Sequence, residues 1–438
     1  MDDRAPDLVR DLLRFIDAAP TPYHAVAETR RRLEAAEFEA ISEADEWSFA
    51  TGDRRYLVRG DGSLVAFEVG SVSPAEGGFR IIGAHTDSPN LRLKPLPDVD
   101  AQGYRQLAVE PYGGVLFHTW LDRDLSLAGR VAVRENGAAR NVLVDFERPL
   151  LRIPNLAIHL QRELRTDGLK LSAQKHLVPV AGLAGAPDFV DGLARELRSR
   201  GIAAVDAEGI LAFDLMTYDV QPSAVVGSLG EFVSAPRIDN LASCHAAVVA
   251  LTTAPTSPEP AFTRAIVLTD HEEVGSRSRE GAAGTLLVDS LARIVAGFKG
   301  ADAQGAARAM ARSRLVSADM AHAIHPNYED RHEPGHRPVV GGGPVIKQNA
   351  GQAYASDSNS AGFFRAICDR VGVSPQYFVT HSDLACGSTI GPITAARVGV
   401  PTVDVGNPML GMHSCRELAG SADVSPMITV LRSFLTDP

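Results

Sequence analysis

A short apolar, β-branched run, Ala265-Ile266-Val267-Leu268, ends on Thr269-Asp270-His271-Glu272-Glu273-Val274-Gly275-Ser276. Such a run reads as a buried strand, and a buried strand that ends in a carboxylate pair needs a neighbour for those charges. Successive side chains on a strand alternate in direction. The pair is therefore expected to send one carboxylate toward a metal and the other toward water or a reacting bond. Gly275 permits the sharp turn that follows.

The same grammar recurs along the chain. Phe79-Arg-Ile-Ile-Gly-Ala-His85-Thr-Asp87 is a strand that ends on a His-x-Asp pair, expected on one side if the strand persists. A metal-bound imidazole is commonly oriented by a carboxylate or carbonyl behind it. Asp239 precedes an apolar helix expected over 241–252, where it either caps the helix or turns outward to a cation. Leu315-Val316 lead into Ser317-Ala-Asp319-Met-Ala-His322, and Gly343-Pro-Val-Ile-Lys347 reads as a strand ending in a charge. His332-Glu333-Pro334-Gly335-His336 matches HExxH literally. That motif works only on a helix, and Pro334 and Gly335 exclude one there.

At 438 residues, two domains are expected. Strands alternate with helices over 1–92 and 232–438, which indicates an α/β domain with a largely parallel sheet. Residues 93–231 change to short β-type runs between Gly and Pro turns and read as an inserted β-rich domain. In parallel sheets, ligands sit beyond the carboxyl ends of the strands, where His85, Glu272, Glu273, Asp319 and Lys347 are expected. Helices are expected at 5–18, with Leu8, Leu12, Phe15 and Ile16 on one face, and near 22–37, with Thr21 as N-cap. Others are expected at 303–313, 358–371 and 422–435.

A net charge of -11 argues against a nucleic-acid surface. Cys244, Cys368, Cys386 and Cys415 lack the close pairing of a zinc ribbon or redox motif. A reducing cytoplasm is expected, as is the absence of a signal peptide from the charged N-terminus or of any membrane span. Mixed His, Asp and Glu ligation without thiolate suits zinc, with manganese or cobalt as alternatives. Two such ions about 3.5–4 Å apart share a bridging carboxylate. A spare glutamate can then move a proton from the attacking water to a leaving amine.

Several segments resemble the M18 metallopeptidases, the aspartyl aminopeptidases. They include Gly83-Ala-His-Thr-Asp-Ser-Pro-Asn-Leu-Arg-Leu-Lys-Pro95, Arg148-Pro-Leu-Leu-Arg-Ile-Pro-Asn-Leu-Ala-Ile-His-Leu-Gln-Arg162, Glu272-Glu-Val-Gly-Ser276, Ser317-Ala-Asp-Met-Ala-His-Ala-Ile-His-Pro-Asn-Tyr328 and Gly411-Met-His-Ser-Cys-Arg-Glu417. The resemblance implies two divalent cations. Asp239 would bridge them, His85 and Asp319 would complete one, and Glu273 and His413 the other. It implies Glu272 as general base, Asp87 as the acid that orients His85, and His159, His322, Lys347 and Tyr354 as substrate contacts. It further implies removal of N-terminal residues, with preference for Asp or Glu read by Lys347, from peptides with a free N-terminus. The inserted domain would mediate dimerisation within a tetrahedral homododecamer. Asn155 and His271 depart from the animal relatives, which carry His and Asn there. Two other readings stay open: a two-metal amide deacylase or carboxypeptidase, and a self-assembling scaffold with a weak site.

Overall fold

The computed structural model describes residues 6–255, 260–298, 300 and 302–437, and the chain divides into two compact units. The first comprises Met1–Asp87, Ser223–Met412 and Glu417–Pro438; the second comprises Ser88–Pro222 with His413–Arg416. These bounds differ from the 93–231 expected from composition, for a local reason at each end. The strand Asn90–Ala101 already belongs to a hairpin with Tyr104–Tyr112, and Ala224–Val226 is paired with Phe232–Ala235.

Among the described residues, nine strands form the main sheet of the first unit. Its centre is parallel: Thr263–Thr269 pairs with Phe79–His85, then Arg314–Ala318, then Thr402–Gly406. On one side the antiparallel hairpin Arg54–Arg59/Ser63–Glu68 extends the sheet. On the other side Val345–Gln348 joins Thr402–Gly406 in antiparallel sense. Thr263–Thr269 and Thr402–Gly406 are buried along their whole length, and the two strands between them everywhere but at Arg80 and Arg314, as expected when helices cover both faces of a sheet. Ile266, Leu268 and Ile82 pack into one apolar cluster with Leu241, Val248 and Leu251 of the helix Ile238–Thr252 and with Phe15 and Ile16 of the helix Asp7–Asp17. Each large aliphatic side chain buried this way contributes about 1.5–3 kcal/mol. Residue 5, the first of the expected 5–18 helix, lies outside the described residues.

Thr21 precedes the helix Pro22–Ala35 as expected, but its hydroxyl meets the ring Nδ1 of His24 at 2.8 Å and caps no backbone N–H. Residues 332–336 form no helix, and Glu333 instead accepts the N–H of Gly335 at 2.8 Å.

Among the described residues, the second unit carries a six-stranded sheet with antiparallel pairings and the amphipathic helix Phe189–Ser199. Leu193 and Leu197 of that helix pack with Leu127, Val131 and Leu215 of the sheet. All four cysteines are free thiols. No helix among the described residues is long and apolar enough to cross a membrane.

Candidate metal centre

Parallel pairing sets the level of the site. Thr269 lies opposite His85, and Ser317 lies opposite Gly83, so the chain beyond Ala318 brings Asp319 to the same sheet edge. His85 is buried, and its Nδ1–H donates to the backbone carbonyl of Asp87 at 3.0 Å. The other ring nitrogen, Nε2, lies 3.4 Å from Oδ1 of Asp239 and 3.4 Å from Oδ1 of Asp319. With Nδ1 committed as donor, neutral imidazole offers Nε2 as a lone pair facing two ionised oxygens. Acceptors that face acceptors in a buried site require a proton or a cation between them. Without a cation, burial presses the imidazolium pKa down. The carboxylates of Asp239, Asp319 and Asp87 outweigh this and hold it well above the ordinary histidine value. His85, Asp239 and Asp319 form one group able to hold a metal ion, and His85, Glu272 and Glu273 another. The donor set therefore fits a divalent cation.

The acidic pair is aimed by a mechanism other than strand alternation. The strand stops at Thr269, His271 takes a left-handed φ of 65°, and Glu272–Val274 form a 3-10 turn. The Asp87 carboxylate pins that turn, accepting the backbone N–H of Glu272 at 3.0 Å and of Glu273 at 3.1 Å. Asp87 itself lies beyond the end of its strand, in a segment without regular structure, with its Oδ1 3.5 Å from His85 Nδ1. Burial pushes the Glu272 carboxyl up to about 8; the His85 charge opposes this, and Asp319 and Glu273 add to it. Gly275, at φ 94°, closes the turn with its N–H on the Glu272 carbonyl.

Asp239 sits inside the helix Ile238–Thr252 with non-helical φ −79° and ψ 106°. Its peptide bond to Asn240 is cis. Its N–H donates to Glu417 Oε2 at 3.0 Å, and Asn240 Nδ2 donates to the Ala318 carbonyl at 2.9 Å. The Cys244 thiol donates to the His85 carbonyl at 2.9 Å, and burial pushes that thiol up to about 12. Glu417, Asn240 and Cys244 were not expected at the site from the sequence. Only their position one to five residues from a ligand-type residue hinted at them.

Lys347 does not lie at a carboxyl end, contrary to expectation. Its strand runs antiparallel to Thr402–Gly406, and the side chain reaches the site from within the sheet. Its Nζ donates to the Met320 carbonyl at 3.1 Å, lies 3.5 Å from Asp319 Oδ2 and stands 5.2 Å from the Tyr354 ring centre. His322 and Tyr354 both pack edge-on against Phe378, at 5.7 and 6.3 Å. His159 and His413 fall in the second unit. His159 is exposed on the turn Ile158–Leu160, and His413 Nδ1–H donates to the Gly114 carbonyl at 3.2 Å. Asn155 holds Asp122 through its backbone N–H at 3.0 Å and its side-chain amide at 2.7 Å.

Residues 15–435 match the family model described as aminopeptidase I zinc metalloprotease (M18). The chain belongs to the M18 family. A probable M18 family aminopeptidase 2 of Pseudomonas aeruginosa strain LESB58 is 50% identical over 432 residues, covering 98% of each chain. Among solved structures, the cryo-EM structure of the Ape4 and Nbr1 complex contains a similar chain with a TM-score of 0.94 at 39% identity; the match covers 98% of this chain and 85% of that one. The S. cerevesiae mApe1 dodecamer matches with a TM-score of 0.84 at 30% identity, covering 98% of this chain and 96% of that one. The M18 fold, an α/β metallopeptidase domain with a β-rich insertion, accounts for both units. The family is described as zinc-dependent, which agrees with the donor set around His85.

Proposed function

We propose that this M18 chain is a metalloaminopeptidase that removes the N-terminal residue from peptides with two divalent cations, zinc before manganese or cobalt. The observation that carries this reading is His85 Nε2 held 3.4 Å from both Asp239 and Asp319 beside the pinned Glu272-Glu273 turn. His85 and Asp319 would hold one cation, Glu273 and His413 the other, with Asp239 shared. Such cations supply Lewis acidity toward the scissile carbonyl and the attacking water.

The chain's own residues do the rest. Glu272 takes a proton from the attacking water and delivers it to the departing amine. Asp87 fixes that carboxylate through the backbone and fixes the His85 tautomer through its carbonyl. His322, Tyr354 and Lys347 bind and orient the peptide, and His159 contributes from the inserted domain. The preferred substrates carry N-terminal Asp or Glu.

The dodecameric relative supports self-association; the assembly we propose is a tetrahedral homododecamer built from dimers of the inserted domain. The four free cysteines support a cytoplasmic location. Hydrolysis of free and N-acetylated aminoacyl substrates by apo, zinc, manganese and cobalt protein, alongside Glu272→Gln, tests the activity. Metal-dependent cleavage of the free substrates alone is expected. Equal cleavage of the acetylated ones would establish a deacylase instead, and no turnover with any metal would leave a scaffold.

A further inference from the structure

The turn that carries Glu272 and Glu273 has little packing of its own. Both glutamates are half-buried, and Val274 and Gly275 after them are exposed. Asp87 holds the two glutamate N–H groups from the side of the metal centre. A second anchor stands at the other end of the turn, where His271 leaves the strand.

His271 is held through both its backbone and its ring. Its N–H donates to Asp270 Oδ1 at 2.8 Å, and its carbonyl accepts the N–H of Ser276 at 2.8 Å. Its ring Nδ1 lies 2.8 Å from Ser278 Oγ, and its Nε2 lies 3.8 Å from Asp270 Oδ2. The carboxylate favours the ring proton on Nε2, so the Ser278 hydroxyl donates to Nδ1.

Both partners of the ring are themselves tied down. Asp270 is buried, donates its N–H to Ser63 Oγ at 2.8 Å, and lies so close to Gly62 that a side chain there would collide with Oδ2. Ser63 Oγ in turn donates to the Glu280 carbonyl at 2.9 Å. Ser278 Oγ accepts the N–H of Gly281 at 2.9 Å. These contacts hold the left-handed backbone at His271, φ 65°, from which the turn departs. Residues with a Cβ adopt that conformation seldom, and here the ring contact compensates for it.

We infer that His271, braced by Ser278 and Asp270, is a positioning residue that sets the direction of Glu272 and Glu273. The inference rests on the aminopeptidase reading and adds to it a residue that acts only through the turn. His271 belongs to none of the ligand groups around His85.

The test compares the wild type with His271→Gly, Ser278→Ala, the double variant and His271→Asn. Glycine keeps the left-handed backbone and removes the ring. Asparagine also adopts that backbone and offers an amide oxygen where Nδ1 stood. Metal-loaded enzyme gives kcat and KM on free aminoacyl para-nitroanilides, and metal-free protein is titrated with zinc against a chromogenic chelator. His271→Gly and Ser278→Ala are each expected to lower kcat about tenfold, with KM within about twofold. Each should also weaken one zinc equivalent, the one assigned to Glu273, about tenfold. The double variant should fall no further, because both changes break one contact, and His271→Asn should match the wild type. Wild-type kcat and zinc affinity in both single variants would overturn the assignment, even with a lowered melting temperature. So would a His271→Asn protein as impaired as His271→Gly. If the aminopeptidase reading itself fails, the wild type shows no turnover, and the zinc titration still decides the role of His271.

Discussion

Lys347 Nζ lies 3.5 Å from Oδ2 of Asp319, although the two residues come from strands of opposite direction. The Asp319 carboxylate is thus shared: Oδ1 faces His85 Nε2 and Oδ2 faces the ammonium. One acid serves the metal centre and is steadied from behind by a fixed charge.

That sharing gives Lys347→Met a distinctive outcome. Removing one partner of a buried ion pair costs about 3–5 kcal/mol, so the denaturation midpoint is expected to fall. Turnover of glutamyl and leucyl substrates should fall together, because Asp319 is disturbed for both. A selective loss of glutamyl turnover would instead make Lys347 the carboxylate reader.

Glu272→Gln keeps the shape of the turn, since the Asp87 contacts are to backbone N–H groups. It removes the group that accepts the proton. A fall in kcat of about 10²–10⁴-fold is expected, with near-native circular dichroism and metal content. Retained turnover would exclude Glu272 as the base.

Asp87→Ala acts through its neighbours. The backbone N–H groups of Glu272 and Glu273 lose their acceptor, and the turn is free to re-aim both side chains. Metal affinity and activity are each expected to fall about 10–100-fold, measured by competition with a chromogenic chelator and by kcat/KM.

Chelation should remove activity and lower stability together. Asp239, Asp319, Glu272 and Glu273 converge on His85, and a cation that binds only the folded chain offsets their repulsion. At free metal 100-fold above Kd the stabilisation is about 2.7 kcal/mol. A melting temperature indifferent to EDTA, with zinc restoring neither stability nor activity, would contradict the centre.

Asp423 offers a pH test away from the centre. Burial pushes its carboxyl up to about 6, against the N–H groups of Gly341 and Gly343 that hold it down. An acid with a raised folded pKa stabilises most below its unfolded value near 4, and that contribution is lost as pH rises through 6. A shift of this size corresponds to about 3 kcal/mol. Wild-type melting temperatures are expected to fall more steeply between pH 4 and 7 than those of Asp423→Asn. Parallel curves would show that Asp423 titrates normally.

Much of this was legible in the residues. The β-branched run 265–268, the acid or histidine at the ends of the strands Phe79–His85, Thr263–Thr269 and Arg314–Ala318, and the Pro-Gly pair that breaks His332–His336 are local facts, and local propensities act where they are written. The antiparallel entry of Val345–Gln348 was not legible, because a four-residue strand has the same pattern in either direction. Nor was the 3-10 turn that aims Glu272 and Glu273, since it depends on a carboxylate 185 residues earlier in the chain. His381 joins His325, Arg331 and His332 only in space. The sequence by itself determined which residue types end which strands, and therefore the family and the kind of chemistry. The tertiary structure alone decided which carboxylate faces His85, which acid occupies Lys347 and what lines the pocket at His381, because those pairings are long-range contacts fixed by packing.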